Sequence, residues 1–136
     1  IMAIDYGDAH TGIAISDPTG LLTGFTTVIN SRRQEVVVEQ GTLLAKEHGA
    51  EELVLGHPVN MDGTLGPRSE KAKAMKVLLE EATALPVVLW DERRTTIDAH
   101  NILFNSGKNA KQRKKVVDAV AASLILEGYL TFKKSH

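Results

Sequence analysis

Three places in the chain carry carboxylates where a hydrophobic core has no use for them. Asp5 closes the apolar run that begins at Ile1, so it stands at the polar end of a strand, facing whatever lies beyond the sheet. A turn-forming aspartate ahead of Gly7 is the other account of it. A second apolar run, Pro86-Val-Val-Leu-Trp90, also ends in acid, at Asp91 and Glu92, with Arg93 and Arg94 following. Two such strands lying parallel deliver acid to one end of a sheet, whereas the four charged residues alone read more readily as a surface cluster of weak ion pairs. Asp118 lies in a helical pattern in which the residues one and two turns on are Ala122 and Ile125, flanked by Val117, Ala121 and Leu124. An acid on an apolar helix stripe is costly unless it is paired or bound to a cation. An ion pair with a core-facing Lys or Arg, or a helix turned so that Asp118 sits at the rim, would also explain it.

Carboxylates from two strand ends and one helix, without Cys or His beside them, suit a hard cation with oxygen ligands such as Mg²⁺ and disfavour zinc. Such a site suits phosphodiester hydrolysis. One ion lowers the pKa of the attacking water and a second, ~3.5–4 Å away, stabilises the leaving oxygen.

Candidate contacts to a polyanion lie nearby in sequence. Lys108, Lys111, Arg113, Lys114 and Lys115 fall together with no acid among them, just before Asp118. They form either a solvated linker or a phosphate-binding segment whose grip weakens with salt. No aromatic residues interleave them, so base stacking is not indicated. The stretch Gly56-His-Pro-Val-Asn60-Met-Asp-Gly63-Thr-Leu-Gly66 follows an apolar run and carries three glycines and a proline. That much conformational specification reads as a site-forming loop in which Asn60 meets phosphate or base edges, although local side-chain turns explain Asn60 and Thr64 as well. Gly7-Asp-Ala-His10-Thr-Gly12 spaces two glycines as a phosphate-binding loop does. Ile13 then stands where Lys and Ser or Thr are needed, so the nucleotide reading fails and a plain turn is favoured. Its backbone N–H groups and His10 could still approach a phosphate beside Asp5. Arg93 and Arg94 complete the set expected to meet nucleic acid.

The elements that must position these groups follow from periodicity. Ile1–Asp5, Gly12–Asp17 and Leu22–Ile29 are β-rich runs separated by turn residues. Ser31 with Gln34 is a capping-box pattern opening a helix that Gly49 stops. A strand over Glu52–Gly56, a helix over Pro67–Thr83, a strand over Pro86–Trp90, a helix from Thr95 or Thr96 to Ser106 and a last helix over Arg113–Phe132 complete the order. The class is therefore α/β: a mixed five-stranded sheet, three antiparallel strands then parallel ones, with helices on both faces.

At 136 residues, 43% hydrophobic and 24% charged, the chain is long enough for one packed domain, spanning 1–136, and lacks the composition of a disordered protein. Sixteen Lys and Arg against 17 Asp and Glu give a formal charge of -1, so support for a polyanionic partner must come from local clustering. With no cysteine, no apolar run near the roughly 20 residues of a membrane span and no signal-like start, a cytoplasmic protein is expected.

Taken together, Ile4-Asp-Tyr-Gly7 with Thr11-Gly-Ile-Ala-Ile-Ser-Asp17, then Val54-Leu-Gly-His-Pro-Val-Asn-Met-Asp-Gly63, Asp91-Glu-Arg-Arg-Thr-Thr96 and Asp118-Ala-Val-Ala-Ala122 resemble the YqgF family of the ribonuclease H-like superfamily. The match spans nearly the whole chain, in order. The resemblance implies a ribonuclease H-like fold and a nuclease that matures the 5′ end of pre-16S ribosomal RNA or resolves Holliday junctions. It further implies Mg²⁺ or Mn²⁺ on an acidic triad of Asp5, Glu92 and Asp118, with Asp91 the weaker candidate because it precedes the expected glutamate. Family members often carry basic residues where this chain has Ala9 and His10, and an apolar residue where it has His57, which reads here as a surface substitution. The expected partner is structured RNA or branched DNA, and the expected state a monomer or homodimer, the two-fold form being what symmetric junction cleavage requires. Two other readings are an actin-like nucleotide-binding domain, which shares the fold but normally encloses its nucleotide between two such units, and a non-catalytic nucleic-acid-binding module.

Overall fold

Alternation along the first strand decides the architecture. Met2 and Ile4 are buried on one side and Ala3 on the other, so the strand must be covered on both faces. The computed structural model describes residues 1–7, 9–17, 23–57, 66–91 and 110–135, with side chains in the last stretch from 119 to 133. In it β1 (Met2–Asp5) lies at the centre of a five-stranded sheet, antiparallel to β2 (His10–Ser16) and parallel to β4 (Leu53–His57). β3 (Thr23–Asn30) pairs antiparallel with β2 at one edge, and β5 (Val87–Asp91) pairs parallel with β4 at the other, giving the order β3-β2-β1-β4-β5. The expected mixed sheet is thus present.

One face is covered by α1 (Gln34–Glu47) and α2 (Pro67–Thr83), whose Val37, Ala45, Ala72, Met75 and Leu79 pack on Met2, Ile4, Ile13, Leu53 and Leu55. The other is covered by α3 (Ala110–Ser135), whose Ala122, Ile125, Leu126 and Tyr129 pack on Ala3, Ala14, Val54 and Trp90. Small residues on the sheet side, Ala3 and Ala14, let this helix approach closely.

Helix starts follow local chemistry, with two departures. Pro67 opens α2 at its first turn as its fixed φ favours. Ser31 does not cap α1: the cap position is Arg33, which makes no side-chain capping bond, and the Ser31 Oγ accepts instead from the Arg33 amide at 3.1 Å. A serine turn has displaced the capping box. The basic stretch expected to be a linker is helical from Ala110, because Ala, Lys, Gln and Arg are all strong helix formers. The helix expected from Thr95 or Thr96 to Ser106 lies outside the described residues.

The C-terminal half of α3 is fixed by polar and aromatic contacts. The Tyr129 hydroxyl donates to the Glu52 carboxylate at 2.9 Å, Lys133 Nζ donates to the same group at 3.0 Å, and Trp90 meets Tyr129 edge-on at 5.8 Å. Burial, then the hydrogen bond to Glu52 and its charge, push the Tyr129 phenol from 10.0 up to about 12. Because the folded value is the higher one, folding favours the protonated phenol. Its contribution is complete below pH 10 and is lost as pH rises toward 12. Denaturant unfolding at a series of alkaline pH values should show wild type losing on the order of 2 kcal/mol more than Tyr129→Phe across that window. Parallel curves for the two proteins would remove the phenol from the account.

Candidate active site at the C-terminal end of the central strands

Asp5 is the last residue of β1 and half-buried, opposite Gly12 of β2. It alternates with Ala3, so it belongs to the face covered by α3. The turn after it is tight: a Cβ on Gly7 would collide with the His10 carbonyl oxygen. Position 7 is thereby restricted to glycine, and β2 returns directly beside the carboxylate. His10 shares the Asp5 face, since it alternates with Gly12 and Ala14, and its Nδ1 lies 2.7 Å from Oδ1 of Asn30. That bond orients the ring and leaves Nε2 for another contact. Asn30 was not singled out from sequence, because only the β2–β3 register brings it opposite His10.

Register also separates the two acids that follow β5. Leu89 packs with the α1/α2 core while Val88 and Trp90 pack with α3, so Asp91, half-buried, falls on the α1/α2 face, opposite to Asp5. Asp91 is the cross-strand partner of His57. His57 is no mere surface substitution: its Nε2 lies 2.6 Å from Oγ of Ser69, a fully buried residue in the first turn of α2. This bond ties the end of β4 to the start of α2 on either side of the glycine-rich stretch. A serine shut away from solvent is no nucleophile, so the pair is a structural tie.

The backbone of Asp118 is in α3, on the stripe continued by Ala122, Ile125 and Tyr129, all buried against the sheet. The stripe expected from sequence therefore faces the same side of the sheet as Asp5. The Asp118 side chain, Glu92, Arg93, Arg94, Asn60 and Lys108 lie outside the described residues, and of Lys111, Arg113, Lys114 and Lys115 only the helical backbone is described. Those four basic residues occupy the first turns of α3, where no acid is present. Among the described residues no three of His, Asp or Glu converge as a metal-binding group, and no helix is long and apolar enough to cross a membrane. The Asp5 carboxylate is an oxygen donor of the type a hard cation prefers.

The family model for RuvX, described as Holliday junction resolvase, matches residues 1–132. A relative from Halothermothrix orenii, named a candidate pre-16S rRNA nuclease, is 41% identical over 133 residues, covering 98% of this chain and 95% of its own. One of the same name from Carboxydothermus hydrogenoformans is 38% identical over 136 residues, covering 100% and 99%. Among solved structures, T. thermophilus RuvC in complex with a Holliday junction substrate superposes with a TM-score of 0.63 at 13% identity, covering 99% of this chain and 96% of that one. A ROK hexokinase from Thermus thermophilus superposes with a TM-score of 0.52 at 23% identity over 74% of this chain and 38% of its own, a likeness of fold alone.

Proposed function

We propose, for a chain that belongs to the RuvX (YqgF) family, a divalent-metal-dependent endonuclease that cleaves structured nucleic acid, with the 5′ end of pre-16S ribosomal RNA as its substrate. The fold is ribonuclease H-like and the activity that of a nuclease. One observation carries the catalytic reading: Asp5 ends the central strand on the face packed by α3, and the α3 stripe bearing position 118 turns toward that same face. Asp91 falls on the opposite face of the sheet, and this, with the family resemblance, favours Glu92 as the third acid. Asp5, Glu92 and Asp118 would hold Mg²⁺ or Mn²⁺, which when bound supplies an acidified water and neutralises charge on the phosphoryl oxygens. The chain's own contribution is positioning. β1 sets Asp5, the tight Gly7 turn returns His10 on the same face of the sheet with Asn30 fixing its ring, and α3 carries position 118. The basic first turns of α3, with Arg93, Arg94, Lys108 and Asn60, draw in the sugar-phosphate backbone, so binding weakens as salt rises.

The family description and the junction-bound RuvC neighbour favour branched DNA as the second reading. An actin-like nucleotide-binding role fits less well: the hexokinase shares this fold over only 38% of its length, whereas the nuclease relatives match nearly end to end. Cleavage of a 5′-extended 16S precursor and of a four-way DNA junction, assayed side by side with Mg²⁺, decides between the substrates. Faster cutting of the precursor at its 5′ extension is expected. Paired symmetric nicks in the junction with an intact precursor would shift the assignment to DNA, and cutting of neither would count against the nuclease.

A further inference from the structure

The helical layer on the side of the sheet away from Asp5 leaves a groove open. Val38, Thr42 and Leu43 of α1 face Leu78 and Ala82 of α2 across a depression of about 490 Å³, and Leu43, 59% exposed, also walls a second one of about 260 Å³ beside β3. An exposed leucine between two depressions is apolar surface left uncovered by the described residues. The charge along it has one sign. Glu35, Glu39, Leu43 and Glu47 recur every four residues and so form one ridge of α1, its acids lining the two depressions. Glu35 suits the start of a helix and is paired with Arg33 at 2.8 Å. Glu39 repeats its charge one turn on, and Glu47 sets a carboxylate at the helix C-terminus, and neither favours the helix itself. Lys46, the only base within α1, lines neither depression. α2 ends with the same sign: Glu80, paired with Lys76 at 3.1 Å, is followed by exposed Glu81, and its last turn has no base. Local helix stability does not account for these acids, whereas a cationic partner does.

We propose that the α1/α2 groove docks a cationic amphipathic helix of a second protein, its apolar row seated on both sides of Leu43 and its lysines or arginines set against Glu39 and Glu47. Two helices packed side by side offer a third the ridges and grooves that helix packing uses, and apolar residues on successive turns of the guest match the two depressions. Charge selects among guests. The carboxylates repel nucleic acid and anionic membrane from the same surface and attract a basic helix. This chain's own basic helix is not the guest, because the apolar stripe of α3 is buried against its own sheet. Since the groove and Asp5 lie on opposite sides of the sheet, an occupied groove leaves the candidate active site open, so the partner recruits the protein without covering its chemistry. The inference is independent of the catalytic reading, resting only on the α1/α2 surface.

Fluorescence anisotropy with a labelled peptide of about five helical turns, leucine on one face and lysine on the other, tests it against a counterpart carrying glutamate for lysine. The leucine-lysine peptide should bind saturably at one per chain and the leucine-glutamate peptide should not bind. Leu43→Ser should weaken binding about tenfold or more, the effect of withdrawing one leucine from an apolar contact. Glu39→Lys should weaken it about fivefold, and Asp5→Asn should leave it unchanged. Both groove positions are exposed, so these variants should fold. No saturable binding of the leucine-lysine peptide overturns the proposal, as do equal affinities for wild type, Leu43→Ser and Glu39→Lys, or a loss confined to Asp5→Asn. Should a groove variant fail to fold, amide shifts of the wild-type protein on titration with the peptide decide: changes concentrated at residues 34–43 and 78–82 support the groove, and changes concentrated elsewhere overturn it. Self-association of the chain alone that Leu43→Ser abolishes would assign the groove to a second copy and likewise overturn the proposal.

Discussion

Asp5→Asn should lower Mg²⁺-supported cleavage by about 10³-fold or more while leaving the protein folded, since a metal-binding carboxylate contributes several kcal/mol to the transition state and each tenfold in rate is about 1.4 kcal/mol. The substitution keeps the side chain's shape, and the residues that bury β1, Met2, Ala3 and Ile4, are untouched. The thermal midpoint should therefore move little. Asp91→Asn is the informative partner experiment. Asp91 resembles Asp5 in sequence, an acid at the end of an apolar strand, but it lies on the opposite face of the sheet, beside His57. It should lose less than about tenfold, an effect within the reach of a small local rearrangement. Single-turnover cleavage rates of the two variants settle the point. Equal losses, or full activity in Asp5→Asn, would contradict the assignment of the acids to faces.

Trp90→Ala should cost about 3–5 kcal/mol, the range for deleting a large buried aromatic. Trp90 is 9% exposed and packs edge-on against Tyr129 at 5.8 Å and Phe132 at 5.7 Å, with its ring against the backbone of α3 at Gly128. The residue of α3 that faces the indole is Gly128, which has no side chain to move into the gap. For a chain of this length the loss corresponds to a drop of roughly 10–17 °C in thermal midpoint. Function should suffer as well. Trp90 anchors the end of β5 to α3 two residues before Glu92, so the variant should cleave more slowly even at temperatures where it remains folded. Trp90→Phe, which keeps most of the ring contacts, should recover the larger part of both losses. A thermal midpoint within 2–3 °C of wild type for Trp90→Ala, a shift expected of less than about 1 kcal/mol, would show that the indole is not the clasp described here.

Much of the fold was legible because its strands are short, apolar and bounded by turn residues, and because Pro67 marks the start of α2 as its chemistry requires. The Asp118 stripe was legible for the same kind of reason. A 3.6-residue period needs no partner to be seen, and Ala122 and Ile125 are indeed buried at 0% and 1%. What sequence did not disclose depends on pairing over distance. The His10–Asn30 contact spans twenty residues and exists only through the β2–β3 register. The separation of Asp91 from the Asp5 face follows from which strand residue meets which helix, a property of the packed sheet. His57 looked like a surface residue until α2 placed buried Ser69 against it. Local rules also competed among themselves: Ser31 could cap α1 or bond the next-but-one amide, and the latter prevailed. The basic segment was ambiguous because Lys and Arg favour helices as readily as they populate linkers.

The central claim is that three carboxylates brought from β1, the segment after β5 and α3 share a divalent cation. A crystal of the protein soaked in Mn²⁺ and measured at the manganese absorption edge tests it directly. The account predicts an anomalous peak ligated by carboxylate oxygens of Asp5, Glu92 and Asp118, at distances of about 2.0–2.3 Å typical of a small hard cation. Carboxylates standing on the order of 10 Å apart, or manganese bound elsewhere with Asp5 uninvolved, would contradict it.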